Sequence, residues 1–471
     1  MLFNSAVFLL LFLVFYLLYW PLPVRGKQLL IILTSFIFYG WYSPVFLVVF
    51  LALIVVNFYL SAALQRRKSK AVLIFGLVLD LGNLIFFKYF YFFIQSFGLL
   101  IGDAYLADLR ANWIRDYNFE IELPIAISFY TFQIVAYLVD AYRGDLEEST
   151  TFRKYTIFIL FFPQFIAGPI MRAADFIPQI DNPQPSRDRM LNGCLLVLQG
   201  VVKKVLIADR IGVIMNPVWA QPGQYDATVL LLAPVAFICQ VYCDFSGYTD
   251  MARGMSKMIG YEIPENFMGP FLATSMRDLW RRWHMTLTTW LRDYIFIPLG
   301  GSRVSPGRVY VNVLVTMALG GLWHGATWSM FIWGLLLGGI LCWEQFTVRA
   351  GWQLLPADAG WANALRRVRT FLLFAYTAVF FASPGFTQAM DFFGGILTFQ
   401  RANPVSSFEG AVGLIILALL FNVPQYLPQP REFLNARPRL RYALIIVGTF
   451  VVGFLVSVFG DVSGQFIYFQ F

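Results

Sequence analysis

Two residues in this chain have side chains suited to acid–base chemistry inside an apolar protein, His284 and His324. They are the only histidines in 471 residues and lie 40 residues apart. His324 is the centre of GGLWHGATW, where glycines and tryptophans flank it on an apolar background. Because burial disfavours the charged form, we expect a neutral imidazole with one ring nitrogen free to accept a proton. A neutral imidazole is the usual general base for activating a hydroxyl or thiol nucleophile. The alternative is a structural histidine that is hydrogen-bonded across two helices.

The neighbours of His324 are small, which leaves room for a substrate or another backbone to approach. They are Gly320, Gly321, Gly325 and Ala326. Trp323 and Trp328 are candidate walls of such a space. The 40 residues between the histidines permit the two side chains to come together but do not require it.

The segment RDLWRRWHMTLTTWLRD, residues 277–293, contains the other histidine. Its apolar residues are spaced as one helical face, with His284 one turn beyond Trp280 on the same side. They are Trp280, Trp283, Leu287 and Trp290. Arginines and aspartates cluster at both ends, and a lipid-exposed span could not carry these charges. The pattern predicts a helix that lies along a membrane interface or is buried beside a water-filled cavity. An interfacial amphipathic helix without chemistry is the alternative.

Several other chemistries lack their sequence signatures. The chain has no G-x-S-x-G elbow, Walker loop or Rossmann glycine fingerprint. The cysteines all lie in apolar segments without metal-ligand partners at suitable spacing, so we interpret them as small hydrophobes in helix packing. They are Cys194, Cys239, Cys243 and Cys342. We predict neither a metal site nor a disulfide framework.

The elements that must position the histidines are membrane helices. Hydrophobic residues make up 59% of the chain, charged residues 13%, and the mean hydropathy is +0.65, whereas soluble domains carry about a quarter charged residues. We therefore predict an all-α polytopic membrane protein with about 11–13 spans plus re-entrant or interfacial helices. The apolar runs are 3–20, 28–42, 44–63, 71–101, 121–141, 154–171, 190–209, 228–243, 309–320, 326–346, 370–383, 386–399, 411–423 and 441–459.

The polar stretches between these runs are short, so we predict one integral-membrane domain over residues 1–471 and no separate soluble domain. Residues 1–20 lack a basic n-region and an A-x-A site, which favours a retained helix over a signal peptide. The net charge of +8 is interpreted as cytoplasmic loops, with no nucleic-acid partner. Basic loops 21–27 and 64–70 and the net acidic loop 102–120 agree if the N-terminus is periplasmic. Beyond residue 172 the alternation is ambiguous.

Several motifs together carry a family resemblance. WRRWHMTLTTWLRDYIFIPLGG followed by GGLWHGATW resembles the signature of the membrane-bound O-acyltransferase family. Further stretches resemble its bacterial branch, which contains the alginate O-acetyltransferase membrane subunit and cellulose-acetylation relatives. They are SFYTFQIVAYLVDAYRG (128–144), FPQFIAGPIMR (162–172), YCDFSGYTDMARG (242–254) and FIYFQF (466–471). The resemblance spans the whole chain.

The resemblance implies a helical bundle around a tunnel through the bilayer. It implies that His324 is the catalytic base and that His284 orients or assists it. Trp283, Trp323 and Trp328 are then tunnel walls by position, although bilayer or core aromatics explain each equally well.

Five further residues become candidate substrate contacts through the resemblance. Asp244 and Ser246 match a family motif whose chemical role is open, with a structural role as the alternative. Arg277, Arg281 and Arg282 could hold the phosphates of coenzyme A if they face the cytoplasm.

The function implied is transfer of acetyl from cytoplasmic acetyl-CoA, with no bound cofactor, across the bacterial inner membrane. The implied partners are a periplasmic SGNH-type acetyltransferase, a polysaccharide synthesis and secretion complex, and membrane lipid. The product would be an O-acetylated exopolysaccharide of the alginate or cellulose type. The alternatives are D-alanyl transfer to teichoic acid by the same fold, a transporter or flippase, and a structural scaffold for a polysaccharide synthase.

Overall fold

A computed structural model of the chain describes residues 3, 5–146, 150–166, 168–352, 355–356, 359–405, 408–423 and 437–459. Within these ranges the regular structure is helical. They contain no β-strand, and their one isolated bridge pairs Tyr225 with Asn403. The terminal motif at 466–471 lies outside them.

The chain packs as two compact units, residues 1–184 and 185–471. The helices of the first unit are α1 (Ala6–Tyr19), α2 (Val24–Gly40), α3 (Pro44–Arg66), α4 (Lys70–Leu84), α5 (Phe90–Ile101), α6 (Ala104–Ala107), α7 (Leu109–Tyr117), α8 (Ile127–Arg143), α9 (Phe152–Leu160) and α10 (Ala173–Phe176). A π-helical turn, Ile85–Tyr89, joins α4 to α5, and a 3₁₀ turn, Ile177–Gln179, follows α10.

The second unit contains both histidines. Its helices are α11 (Arg187–Val201), α12 (Asp209–Ala220), α13 (Ala227–Met258), α14 (Met276–Trp280), α15 (Met285–Leu291), α16 (Pro306–His324), α17 (Trp328–Arg349), α18 (Gly360–Thr377), α19 (Val379–Ala382), α20 (Phe386–Leu397), α21 (Phe408–Asn422) and α22 (Pro438–Phe459). Val202–Ala208 and Arg292–Phe296 are π-helical, and Pro222–Gln224 and Pro270–Leu272 are 3₁₀ turns.

Helix boundaries follow local chemistry that is visible in the sequence. The Ser43 side chain accepts a hydrogen bond from the Phe46 amide at the start of α3, and Pro44 occupies the first turn. Thr327 caps α17 in the same way through the Met330 amide. Such caps satisfy amides that have no partner within the helix, so they separate apolar helices that adjoin in sequence.

Six helical segments in the described ranges are long and apolar enough to cross a membrane, which makes the chain an all-α multi-pass membrane protein. They are Pro44–Arg66, Lys70–Ile101, Arg187–Ala220, Ala227–Met258, Trp328–Arg349 and Arg439–Val458. Val7–Tyr19 and Phe408–Asn422 are apolar but shorter. The other predicted runs also contain helices, but these are shorter or more polar than a full span. The run 154–171, for example, is helical only to Leu160, before Pro163 and Pro169.

Close backbone contact joins α11 to α13 in the second unit. A β-carbon on Gly193 would lie 2.6 Å from the Gly254 carbonyl oxygen, and one on Gly200 would lie 2.4 Å from that of Gly247. On each helix the two glycines are seven residues, or two turns, apart. The earlier glycine of α11 meets the later glycine of α13, so the two helices run antiparallel. They lie at a distance that only glycine permits. This packing fixes α13, which carries part of the site described below.

The hairpin of α16 and α17 uses the same device beside His324. A β-carbon on Gly321 would lie 2.2 Å from the Met330 carbonyl oxygen, and one on Gly334 would lie 2.3 Å from that of Met317. The glycines that we expected to make room for a substrate or a backbone therefore include one, Gly321, that admits a backbone.

Candidate active site

His324 is the last residue of α16, where the chain leaves the helix through an extended Gly325. Its side chain is buried, with 7% of the residue exposed. The imidazole packs edge-to-face on three rings, at centroid distances of 4.8 Å to Trp323, 5.2 Å to Trp333 and 5.3 Å to Phe381. The site therefore holds His324 in an aromatic cage that has little access to bulk water.

His284 does not lie inside a continuous helix, and the prediction of one helix over 277–293 is wrong. α14 ends at Trp280 and α15 begins at Met285. His284 between them has φ 42° and ψ 51°, in the left-handed region, which costs a residue with a β-carbon about 1–2 kcal/mol. The apolar spacing is nevertheless kept, because Trp283, Leu287 and Trp290 are all buried.

Backbone pairing with an upstream segment explains the break. The Met268 amide donates to the Arg282 carbonyl at 2.9 Å, and the Met285 amide donates to the Asn266 carbonyl at 3.0 Å. Residues 266–268 thus run beside residues 282–285 and provide partners that a continuous helix would have supplied internally. We name residues 266–268 the strap.

The structure brings the two histidines together around one indole. The His284 ring centroid lies 5.8 Å from that of Trp323, which also contacts His324, and 4.6 Å from that of Phe245. His284 is 1% exposed and lies outside the six candidate spans. Burial lowers the pKa of its imidazole to about 3, so the ring is neutral at physiological pH.

The other two predicted tryptophans differ from each other. Trp283 is buried in an aromatic cluster that adjoins the site, with ring centroids 5.0 Å from Phe374 and 5.2 Å from Phe267. Trp328 was expected to wall the space beside His324, but it is 52% exposed at the start of α17 and packs on Phe331. It is the first residue of α17, directly after the Thr327 cap.

The three candidate arginines lie at the start of the segment 277–293. Arg282 forms an ion pair with Asp278 at 2.8 Å, as an i, i+4 pair should. Arg277 and Arg281 are exposed, so their guanidinium groups are accessible to a ligand. The start of α14 is held by Glu344 of α17, whose carboxylate accepts from the Met276 and Arg277 amides at 2.8 and 3.2 Å.

Asp244 and Ser246 are buried on α13. Asp244 lies 2.5 Å from the Lys204 ammonium, which also pairs with Asp209 at 2.8 Å. A second buried pair, Lys203 with Asp250, follows at 2.7 Å. Paired charges of this kind neutralise one another inside an apolar bundle, so the geometry favours the structural alternative for Asp244.

Sequence reasoning missed the residues that complete the site. Trp333, Phe381 and Phe245 contact the histidines, but they come from α17, α19 and α13, and no local pattern marks them. Asn266 was missed as well, although PENF lies in the polar break after α13 and a polar residue there was a usable signal.

The arrangement offers two buried imidazoles in an aromatic setting. No group of three histidine, cysteine, aspartate or glutamate side chains in the described ranges could hold a metal ion. Proton transfer is the chemistry that the two imidazoles support directly. The tunnel implied by the resemblance stays a prediction.

A bundle of apolar helices around two buried imidazoles defines a multi-pass membrane protein with a candidate acid–base site. The family model for MBOAT, the membrane-bound O-acyltransferase family, matches residues 146–381, which include both histidines. This chain belongs to that family and is an acyltransferase.

Three relatives show how far the similarity extends. The chain is 36% identical over 450 residues to the probable alginate O-acetylase AlgI of Pseudomonas aeruginosa, covering 92% of this chain and 83% of the relative. It is 32% identical over 376 residues to the peptidoglycan O-acetyltransferase of Helicobacter pylori, covering 72% and 69%. A shorter match, 30% identical over 230 residues, covers 45% of this chain and 55% of the teichoic acid D-alanyltransferase of Streptococcus thermophilus.

Proposed function

We propose that this protein is an inner-membrane O-acetyltransferase. In this proposal it takes acetyl from cytoplasmic acetyl-CoA and passes it across the membrane for O-acetylation of an exported polysaccharide of the alginate or cellulose type. The observation that carries the proposal is that His324 and His284 are both buried against the indole of Trp323. Its support from relatives is the long match to a probable alginate O-acetylase.

In the proposed step His324 takes the proton from an acceptor hydroxyl while the hydroxyl oxygen attacks the acetyl thioester carbon. The C–S bond then breaks and coenzyme A leaves as the thiolate, which recovers the proton from the imidazolium. A neutral His284, which contacts the same indole, orients the reacting groups. The aromatic cage excludes water, which would otherwise compete as acceptor and hydrolyse the donor.

The exposed arginines would bind the donor. Arg277 and Arg281 are accessible at the end of the segment that leads to His284. Guanidinium groups bind phosphate oxygens through paired hydrogen bonds, so these two residues suit the phosphates of coenzyme A. Arg282 is less suited, because Asp278 already pairs with it.

The polysaccharide that receives the acetyl group would be bound by another protein. The described ranges consist of helices with short connections, and a periplasmic SGNH-type partner would supply the surface that holds a polysaccharide. Assembly with a synthesis and secretion complex would bring this partner to the periplasmic end. D-alanyl transfer ranks lower, because the matches to two teichoic acid D-alanyltransferases cover 45% and 52% of the chain, against 92% for the probable alginate O-acetylase.

The test is thioester turnover by the purified chain in nanodiscs, with acetyl-CoA as donor and with or without periplasmic partners encoded beside it. We expect His324→Ala to lower the rate by at least about 10²–10⁴-fold, the usual contribution of a general base. His284→Ala should lower it as well. The partner that stimulates the wild type indicates the polymer.

The control is Trp343→Ala, which also replaces a ring side chain of the second unit by alanine. Trp343 is 57% exposed, whereas His324 is buried. This variant should retain wild-type turnover. Full turnover by a folded His324→Ala protein would show that the histidine is structural. Absence of acetyl-CoA consumption with every partner, together with transfer from a D-alanyl carrier protein, would move the activity to the D-alanyl class.

A further inference from the structure

We propose that Asn266 is a positioning residue that holds His284 against Trp323. This inference rests on the proposed function, because it assigns to Asn266 the task of placing the assisting histidine. Asn266 is fully buried, lies 18 residues before His284 and belongs to the strap.

Asn266 binds the chain immediately after His284 through three hydrogen bonds. Its backbone carbonyl accepts from the Met285 amide at 3.0 Å. Its side-chain oxygen accepts from the Thr286 hydroxyl at 2.6 Å and from the Thr286 amide at 3.3 Å. The two residues after His284 are therefore tied to one buried asparagine.

The left-handed backbone of His284 makes this restraint necessary. A positive φ at a residue with a β-carbon is unfavourable, so it persists only where the surroundings impose it. The bond from the Met268 amide to the Arg282 carbonyl holds the chain before His284, and the Asn266 bonds hold it after. The backbone on both sides of His284 is thus fixed by the strap.

The strap also places the ring that lies against His284. Phe267, between the two hydrogen-bonding residues of the strap, packs edge-to-face on Trp283 at 5.2 Å and on Phe245 at 5.3 Å. Phe245 in turn contacts the His284 imidazole at 4.6 Å. The backbone, side-chain and aromatic contacts of the strap therefore all restrain the His284 imidazole or its neighbours.

The side-chain oxygen is the feature that distinguishes asparagine here. Asn266→Leu keeps the size and removes the acceptor, which leaves the Thr286 hydroxyl and amide without their bonds to it. Asn266→Asp keeps an acceptor at the same place. Thr286→Val removes the hydroxyl donor alone and serves as a milder variant if Asn266→Leu fails to fold.

Nuclear magnetic resonance of histidine labelled with carbon-13 and nitrogen-15 tests the restraint without requiring activity. The chain has two histidines, so the spectrum contains two side chains, which His284→Asn and His324→Asn assign. We expect Asn266→Leu to shift or broaden the His284 resonances and to leave those of His324 in place. Thr286→Val should produce a smaller change, and Asn266→Asp should restore the wild-type spectrum.

Turnover of acetyl-CoA tests the consequence for catalysis. We expect Asn266→Leu to lower kcat by about tenfold or more with little change in KM, since a misplaced group loses transition-state stabilisation and not substrate binding. Combined with His284→Asn, the substitution should cause little further loss, because the group that it positions is already absent. Losses that multiply in the double variant would overturn the proposal.

Wild-type His284 resonances and wild-type kcat in Asn266→Leu would also overturn the proposal and leave the proposed function intact. A shifted His284 with unchanged kcat would overturn it too, since the position would not matter to the reaction. If the wild type turns over no acetyl-CoA, the proposed function fails, and the histidine spectra still decide whether Asn266 holds His284.

Discussion

His284 combines two unfavourable conditions, a left-handed backbone and a buried imidazole. Neither condition is needed for packing, since an apolar residue in a regular helix would fill the same space at a lower cost in folding free energy. Departures of this kind concentrate where a side chain must point in a required direction. That direction is toward the indole of Trp323, which also contacts His324, as the proposed function requires.

The burial of His284 predicts an acid-sensitive stability. Because burial lowers its pKa to about 3 from the usual 6.5, the unfolded chain binds a proton below about pH 6.5 and the folded chain does so only near pH 3. Folding stability from this group is therefore present above about pH 6.5 and is lost as the pH falls through this window. Between pH 7 and 5 the loss is about 2 kcal/mol.

The measurement is thermal unfolding of the wild type and of His284→Asn in nanodiscs at pH 7 and pH 5. Asparagine tolerates the left-handed backbone and does not titrate in this range. The wild type should lose more stability than the variant between the two pH values. An equal loss in both proteins would assign the acid sensitivity to other groups.

At the scale of elements, the site depends on how closely α16 and α17 pack. His324 ends one helix of this hairpin, and Trp333, which lies against it, belongs to the other. The separation of the two helices therefore sets the geometry of the cage. Gly321, one turn before His324, is the position at which the backbones meet.

Gly321→Ala should destabilise the protein and lower turnover together. The new methyl group would lie 2.2 Å from the Met330 carbonyl oxygen, so the helices must separate, at a cost of about 1–3 kcal/mol for overpacking. Gly339→Ala on α17 is the control, because its β-carbon meets no atom within 4 Å. Alanine favours a helix over glycine, so the control should be neutral or slightly stabilised. Thermal unfolding and acetyl-CoA turnover check both variants, and an unaffected Gly321→Ala would contradict the role of this contact.

At the scale of the whole molecule, candidate spans occur in both compact units, at Pro44–Arg66 and Lys70–Ile101 in the first and at four segments in the second. Membrane insertion is thus a property of the full chain. The charges of the short loops make a definite prediction about its direction. Basic residues favour the cytoplasmic side, which places loop 64–70 inside and loop 102–120 outside.

Cysteine labelling tests this orientation. In a chain whose four native cysteines are replaced by alanine, Asp103→Cys should react with a membrane-impermeant maleimide in intact spheroplasts. Arg67→Cys should react only after permeabilisation, and both positions are exposed. Equal labelling of the two variants after permeabilisation is the control for reactivity. If Arg67→Cys reacted in intact spheroplasts and Asp103→Cys only after permeabilisation, the N-terminus would lie in the cytoplasm.

Much of the architecture could be predicted from local chemistry. The apolar run 44–63 became α3 at Pro44–Arg66, and the run 326–346 became α17 at Trp328–Arg349. Both begin at a hydroxyl cap next to an apolar run, and such signals act over a few residues. The sequence also singled out His324 as a candidate, because an ionisable residue among glycines in an apolar run is costly to bury, and the structure shows that it is buried.

The arrangement around the histidines was decided only by tertiary structure. The helical period of 277–293 predicted one helix, but hydrogen bonds from the strap replace those of a continuous helix at His284. Phe381 reaches His324 from 57 residues away and Phe245 reaches His284 from 39. A single sequence records the apolar character of such rings but not their contacts, because packing depends on which helices meet and at what distance.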